Sequence, residues 1–238
     1  VKSLFSAAVL LAVAFTNAHA QQSAAGDETL VEWLRVDQDK DGAANVRVGA
    51  SPSAKVLGTV TSGKVVLAYS TTGDWTTIET DEVSGADFYV HSSRLGKLTD
   101  WKQISSAKND ASDRSTIRHD RAEVNVTAVP FAKKDHKVTP SADGQILVDG
   151  RSPWGTDGTL PTHSLALSVK LDGQSLAVPA SATRDLFQPE LTSLTPLTPG
   201  KPSEQMAIVM QNSDGVGFYI VAWSFVKGRY ADRTIMHP

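Results

Sequence analysis

The chain of 238 residues carries 23 Lys and Arg against 26 Asp and Glu, a formal charge of −3, and it contains no cysteine. So mild an acidity offers no basic face for nucleic acid and no polybasic segment for anionic lipid. Without cysteine there is no disulfide, no thiol nucleophile and no cysteine for N-terminal lipid attachment.

Residues 1–20 read as a secretory signal. Lys2 supplies the charge, Leu4 to Phe15 the apolar stretch, and Ala18-His19-Ala20 the small-residue cleavage site. An apolar run of about 12 residues falls short of the roughly 20 that span a bilayer. The expected product, cut after Ala20, is a soluble protein of the periplasm or the exterior. Residues 21–30 follow as a polar, flexible lead-in.

From 31 to 98 the pattern becomes short strands separated by turn residues. Strands are expected near 31–36, 44–48, 55–60, 64–70, 74–80 and 86–90, with turns at DKDG, ASPS, TSG, TTGD and DEVSG. Five or six short strands in about 65 residues suit a small closed barrel, in which closure removes the edge strands. The acidic turn places Asp37, Asp39, Asp41 and Gly42 at the first calcium-loop positions, with Asn45 at the ninth. The twelfth position, however, is Val48 where a bidentate Glu is needed, so the segment reads as a turn and no metal is expected.

The order of these pieces is specific: an Asp/Gly turn, NVRVGASPS (45–53), a GDW turn (73–75) entering a strand, and FYVHSSRL (88–95). In that order the segment resembles bacterial SH3-like (SH3b) domains. The resemblance implies a small β-barrel that binds a cell-wall peptide or a protein partner and does not itself catalyse. One departure stands out: the family has a Gly just before the aromatic strand, whereas here Gly85 is followed by Ala86, Asp87 and Phe88.

Period two sorts the aromatics of this segment. If Ile78, Phe88 and Val90 fill the interior, Trp75 and Tyr89 face outward from neighbouring strands. They then form either an exposed ligand-binding pair or a pair covered by the acidic turn or the second domain. Arg94 is expected to pair with an Asp of the 37–41 turn, and His91 to hydrogen-bond locally.

Residues 99–118 are polar and aperiodic and read as a linker, with Trp101 and Ile104 folding back on the barrel. From 119 to 238 a second β-rich domain is expected. Val124, Val126 and Ala128 alternate with polar residues, as do Leu165, Leu167, Val169 and Leu171. Asp172-Gly173 then turns the chain into QSLAVP as a hairpin. MAIVMQ (206–211) and GFYIVAWSFV (217–226) flank NSDGV and are apolar nearly throughout, so this hairpin belongs at the centre of the core. SATRDLF (181–187) suits about two helical turns from a Ser181 cap. The Pro- and Thr-rich stretch 188–204 reads as a long loop.

The loop VDGRSPWGTDGTLP (148–161) has two readings. It is a recognition loop, with Trp154 stacking on a ligand and Arg151 and Asp157 making polar contacts, or an ordered loop whose Trp plugs the sheet. Catalysis finds no foothold: GxSxG, SxxK, HExxH and phosphate-loop motifs are absent, and the histidines lack ligand spacing. His136, between Asp135 and Lys137, reads as solvated. A carboxylate pair, whose members lie anywhere in sequence, keeps a cell-wall hydrolase as a third reading.

The expected architecture is all-β: an SH3-like barrel (31–98), a linker (99–118) and a sandwich-like antiparallel domain (119–238). The expected function is that of an exported, non-enzymatic binding protein without cofactor, whose barrel engages peptidoglycan peptide or a protein. The alternative is a periplasmic immunity or inhibitor protein directed at a toxin or hydrolase.

Overall fold

The computed structural model describes residues 34–37, 41–80, 83–104, 108–119, 121–142, 144–213 and 215–236. The stretches expected to be a secretory signal and a lead-in, and most of the acidic turn, lie outside these residues. Among the described residues all regular structure is strand apart from short 3-10 turns, and no helix is long and apolar enough to cross a membrane.

Seven strands make the first sheet: β1 (Leu34–Asp37), β2 (Ala43–Arg47), β3 (Val56–Thr61), β4 (Val65–Thr72), β5 (Trp75–Thr80), β6 (Val83–His91) and β7 (Leu95–Lys97). Their order across the antiparallel sheet is β3-β2-β6-β5-β4-β1-β7. Alternation carries Ala44, Val46, Val60, Val66, Ile78, Phe88 and Val90 to one side, where they form this half's own core. Burying an aliphatic side chain of this size contributes roughly 1.5–3 kcal/mol.

The expected closed barrel is not closed. The short strand β7 extends the ladder through Val36↔Gly96 and leaves β3 and β7 as its two ends. The departure at Gly85 to Phe88 falls beside a register shift between Ile78 and Thr80 in the β5–β6 ladder. Such a bulge absorbs the extra residue without turning Phe88 and Val90 away from the core.

The chain continues through β8 (Lys102–Gln103), β9 (Lys108–Ala111), β10 (Arg114–His119), β11 (Ala122–Pro130), β12 (Val138–Pro140), β13 (Ile146–Val148), β14 (His163–Leu171) and β15 (Gln174–Ser175). It ends in β16 (Thr195–Thr198), β17 (Gln205–Asn212), β18 (Tyr219–Val226) and β19 (Arg229–Met236). Two five-stranded antiparallel sheets result, β15-β14-β11-β10-β9 and β19-β18-β17-β16-β8, with β12-β13 as a separate ribbon. Val124, Val126, Leu165 and Val169 of the first face Met206, Ile208, Val221 and Trp223 of the second. This is sheet-on-sheet packing, as the alternation in β11 and β14 predicts.

The β16–β19 sheet is covered on its other side as well. Ala207, Val209, Ile220, Ala222 and Met236 share a second cluster with Val65 and Leu67 of β4 and with Leu98 and Trp101. Three sheets are thus stacked, and the middle one is apolar on both faces, which is why its two central strands read as continuous hydrophobic runs. Polar ties reinforce the junction: Thr234 Oγ1 donates to the Val65 carbonyl at 2.6 Å, and Lys64, 3% exposed, meets Asp232 at 3.0 Å. Gly63, at φ +91°, comes so close to β18 that a Cβ would lie 2.7 Å from Val226 Cγ2.

Four sequence expectations are corrected here. Residues 99–118 are not a free linker: β8 pairs with β16, and β9 and β10 extend the β11 sheet. Trp101 does pack against β4, but Ile104 enters the sandwich core instead. The helix expected at 181–187 is a single 3-10 turn, Ala180–Ala182. Tertiary pairing overrides local propensity there: Leu186 bridges Trp154, Phe187 bridges Ser164, and Trp223 Nε1 donates to the Ala182 carbonyl at 2.9 Å. The Pro/Thr stretch contains β16, where Pro196, which lacks an N–H, uses its carbonyl to accept Ile104 N–H at 2.8 Å.

Candidate functional site

The first sheet has an outward face whose composition follows from register. Arg47 stands opposite Val56 in β3 and opposite Tyr89 in β6, and Tyr89 stands opposite Thr77 in β5. A row Val56–Arg47–Tyr89–Thr77 therefore crosses four strands. Beside it runs the pair Trp75↔His91. The parity expectation holds, since Ile78, Phe88 and Val90 are core while Trp75 and Tyr89 lie on the opposite face.

Exposure corrects the rest of it. Trp75 is only 9% exposed, and Arg47 and His91 of its own sheet lie against the ring. The Arg47 guanidinium sits 5.9 Å above the indole centroid, and the His91 ring meets the indole edge-on at 5.2 Å. Such a cation–π contact is worth about 0.5–1 kcal/mol at an exposed site and more when desolvated. Arg47 is held in place by Nη1–H donating to the Ala54 carbonyl at 2.7 Å. His91 Nδ1 accepts the Ser93 N–H and caps the 3-10 turn Ser92–Arg94.

Tyr89 is half-buried, whereas Val48, Val56 and Leu57 are each at least two-fifths exposed. These three lie where β2 leads into the terminal strand β3, and the register shift between Val46 and Arg47 accommodates Leu57 as the extra residue. The face continues to Tyr69, whose hydroxyl donates to Glu79. Partial burial pushes the Tyr69 phenol up to about 12, and the bond to Glu79 and that carboxylate's charge push the same way. Arg94 Nη1 lies 3.9 Å from Asp41 Oδ2, the pairing expected for it, in an exposed position where such pairs contribute little.

The face is aromatic, aliphatic and cationic at once, which suits a peptide or glycan with carboxylate groups. Sequence reasoning found Trp75 and Tyr89 but not Arg47 or Val56. The signal was present: in NVRV the same period two that buries Val46 turns Arg47 outward.

The 148–161 loop takes its plugging form. Trp154 is half-buried against the sandwich core, 6.1 Å from the Tyr219 ring, with backbone bonds to Asp185 and Phe187. Gly155, at φ +90°, admits no side chain, since a Cβ would lie 2.3 Å from the Phe187 carbonyl oxygen. Arg151 and Asp157 are exposed at the rim; Arg151 Nη1 reaches the Asp149 carbonyl at 3.4 Å. The structure thus separates Trp154 from the solvent-facing role of the recognition reading.

His136 is not simply solvated. It stacks on Phe131 at 4.7 Å and bonds Asp149 through Nδ1 at 2.8 Å. That bond holds the Asp149 carboxyl below the usual range, helped by the Lys137 N–H. Among the described residues no three His, Asp or Glu side chains gather into a metal-binding set.

Residues 41–96 match the family model of the bacterial SH3 domain. No curated protein and no solved structure matches the chain.

Proposed function

We propose that the bacterial SH3 domain of residues 41–96 makes this chain an exported, non-enzymatic binding protein that engages a cell-wall peptide through Val56, Arg47, Tyr89 and the Trp75 beneath Arg47. The observation that carries this reading is the division of the domain's outer surface. Val65, Leu67, Leu98 and Trp101 are the residues of this half that join the cluster shared with the sandwich. The row across β3, β2, β6 and β5 contributes none of them and presents Arg47 above an indole.

A carboxylate on the ligand would draw the Arg47 guanidinium toward itself and open the Trp75 face for stacking. The absence of cysteine, which removes the thiol peptidase chemistry open to other exported wall enzymes, supports the non-enzymatic reading. The signal-like residues 1–20 support export to the periplasm or the exterior.

A protein partner, as an inhibitor or immunity protein would have, is the second reading. The exposed Val48, Val56 and Leu57 beside a terminal strand favour it, because apolar side chains next to open backbone suit a protein edge. Co-sedimentation of the purified chain with isolated peptidoglycan separates the two. The wall reading expects saturable binding that Arg47→Ala and Tyr89→Ala each weaken. No co-sedimentation, together with capture of a defined protein by the wild type and not by Leu57→Asp, replaces it with the second.

A further inference from the structure

We propose that the outer face of the β9–β15 sheet carries an oxyanion site, built on Arg118 and Arg121, for a carboxylate or phosphate monoester group of a ligand. It lies on a different sheet from the SH3 face and does not depend on the function proposed for that face.

Register assembles the site. Arg118 in β10 stands opposite Glu123 in β11, and Glu123 opposite Lys170 in β14. At the same end of the sheet the Asp172 N–H donates to the Arg121 carbonyl at 2.8 Å, tying the β10–β11 turn to the β14–β15 turn. Between these turns opens a cavity of about 390 Å³ lined by Arg118, Arg121, Glu123, Lys170, Asp172 and Gly173. At Gly173 an added Cβ would meet nothing within 4 Å, so that side of the cavity is open space.

The arginines are held by one edge only. Arg118 Nε donates to Glu123 Oε2 at 2.7 Å, and Arg121 Nε pairs with Asp172 Oδ1. Among the described residues neither guanidinium makes another hydrogen bond or ion pair, so both Nη ends remain available. A carboxylate on Nε fixes the plane of a guanidinium and leaves its fork for an external oxyanion, the geometry that bidentate recognition requires. Lys170 Nζ meets Glu123 at 3.0 Å from the other side. Among the described residues that line the cavity, three cations thus face two carboxylates. Glu123 remains ionised because Arg118, and then Lys170, hold its carboxyl below the usual range.

The test is a titration of the full chain, at constant ionic strength set with chloride, followed by NMR at the arginine Nε–H and Gly173 backbone signals. One arm uses inorganic phosphate and the other N-acetyl-alanyl-alanine. Saturable shifts confined to Arg118, Arg121, Lys170 and Gly173 are expected in at least one arm, and the tighter probe assigns the source of the oxyanion. Arg118→Lys and Arg121→Lys, which keep the charge and lose the fork, are expected to weaken binding about tenfold each. Both side chains are exposed, Arg118 on the sheet face and Arg121 in the β10–β11 turn, so circular dichroism should remain that of the wild type. If neither probe saturates, if chloride alone reproduces the shifts, or if the lysine variants bind as the wild type does, the site does not exist.

Discussion

Substituting Gly63 tests whether the SH3 domain and the sandwich are one body. The residue sits at φ +91° in the β3–β4 turn, where an L side chain is strained by about 1–2 kcal/mol. Its Cβ would also stand 2.7 Å from Val226 Cγ2 and 3.3 Å from Gln205 Nε2. The glutamine end can swing aside, but Val226 is the last residue of a packed strand, so overpacking adds about 1–3 kcal/mol. Gly63→Ala is therefore expected to destabilise the whole chain by about 2–5 kcal/mol, read from urea unfolding followed by far-ultraviolet circular dichroism and tryptophan fluorescence. Trp75 reports the first sheet and Trp223 the sandwich, and the two should unfold together. In a Val226→Ala background the clash is relieved and the cost should fall to the backbone strain alone. A Gly63→Ala cost below about 0.5 kcal/mol would refute the argument, as would an equal cost in both backgrounds.

Other expectations are narrower. Asp185 and Arg233 form a two-pronged pair at 2.5 and 2.8 Å with little exposure. Asp185→Ala should cost about 3 kcal/mol, and adding Arg233→Met should recover most of it, measured by denaturant midpoint. Trp154→Ala should cost about 3 kcal/mol in the same assay while leaving peptidoglycan co-sedimentation unchanged, because this Trp plugs the sandwich. Glu123 has a folded-state pKa below its unfolded one, so its stabilising contribution is present above the unfolded carboxylate value and is lost as pH falls through the folded value. Glu123→Gln should therefore be less stable than wild type at pH 7 and lose less on acidification to pH 3; equal losses would sink that assignment.

Much of the fold could be read from residue periodicity because its signals are local. Val124 and Val126 alternate with polar neighbours and bury one face of β11, and Asp172-Gly173 adopts the left-handed pair that a tight hairpin needs. What escaped were features set by distant partners. Lys102–Gln103 and Arg114–His119 look like linker because short, largely polar strands carry no long apolar run; β16 and β11 make them strands. The 181–187 segment has the composition of a helix, yet Trp154 and Ser164 draw Leu186 and Phe187 into bridges. At the outward face, period two placed Trp75 correctly, but its cover came from Arg47 and His91, a cross-strand fact that one strand alone does not contain. Arg118 at the end of β10 and Arg121 in the following turn escaped for the same reason: Glu123 and Asp172 orient them only after three strands have met.

The shared cluster between the first sheet and β16–β19 also sets an order of events in synthesis. Val65, Leu67, Leu98 and Trp101 leave the ribosome early, while Ile220, Ala222 and Met236, which cover them, are among the last residues made. Until then the finished SH3 ladder carries a bare apolar wall, and half of the sandwich core waits on the same strands. The nascent chain is thus adhesive for most of its synthesis, which suits a holding chaperone. A message truncated before β18 would yield a product that aggregates, even though residues 41–96 are complete within it.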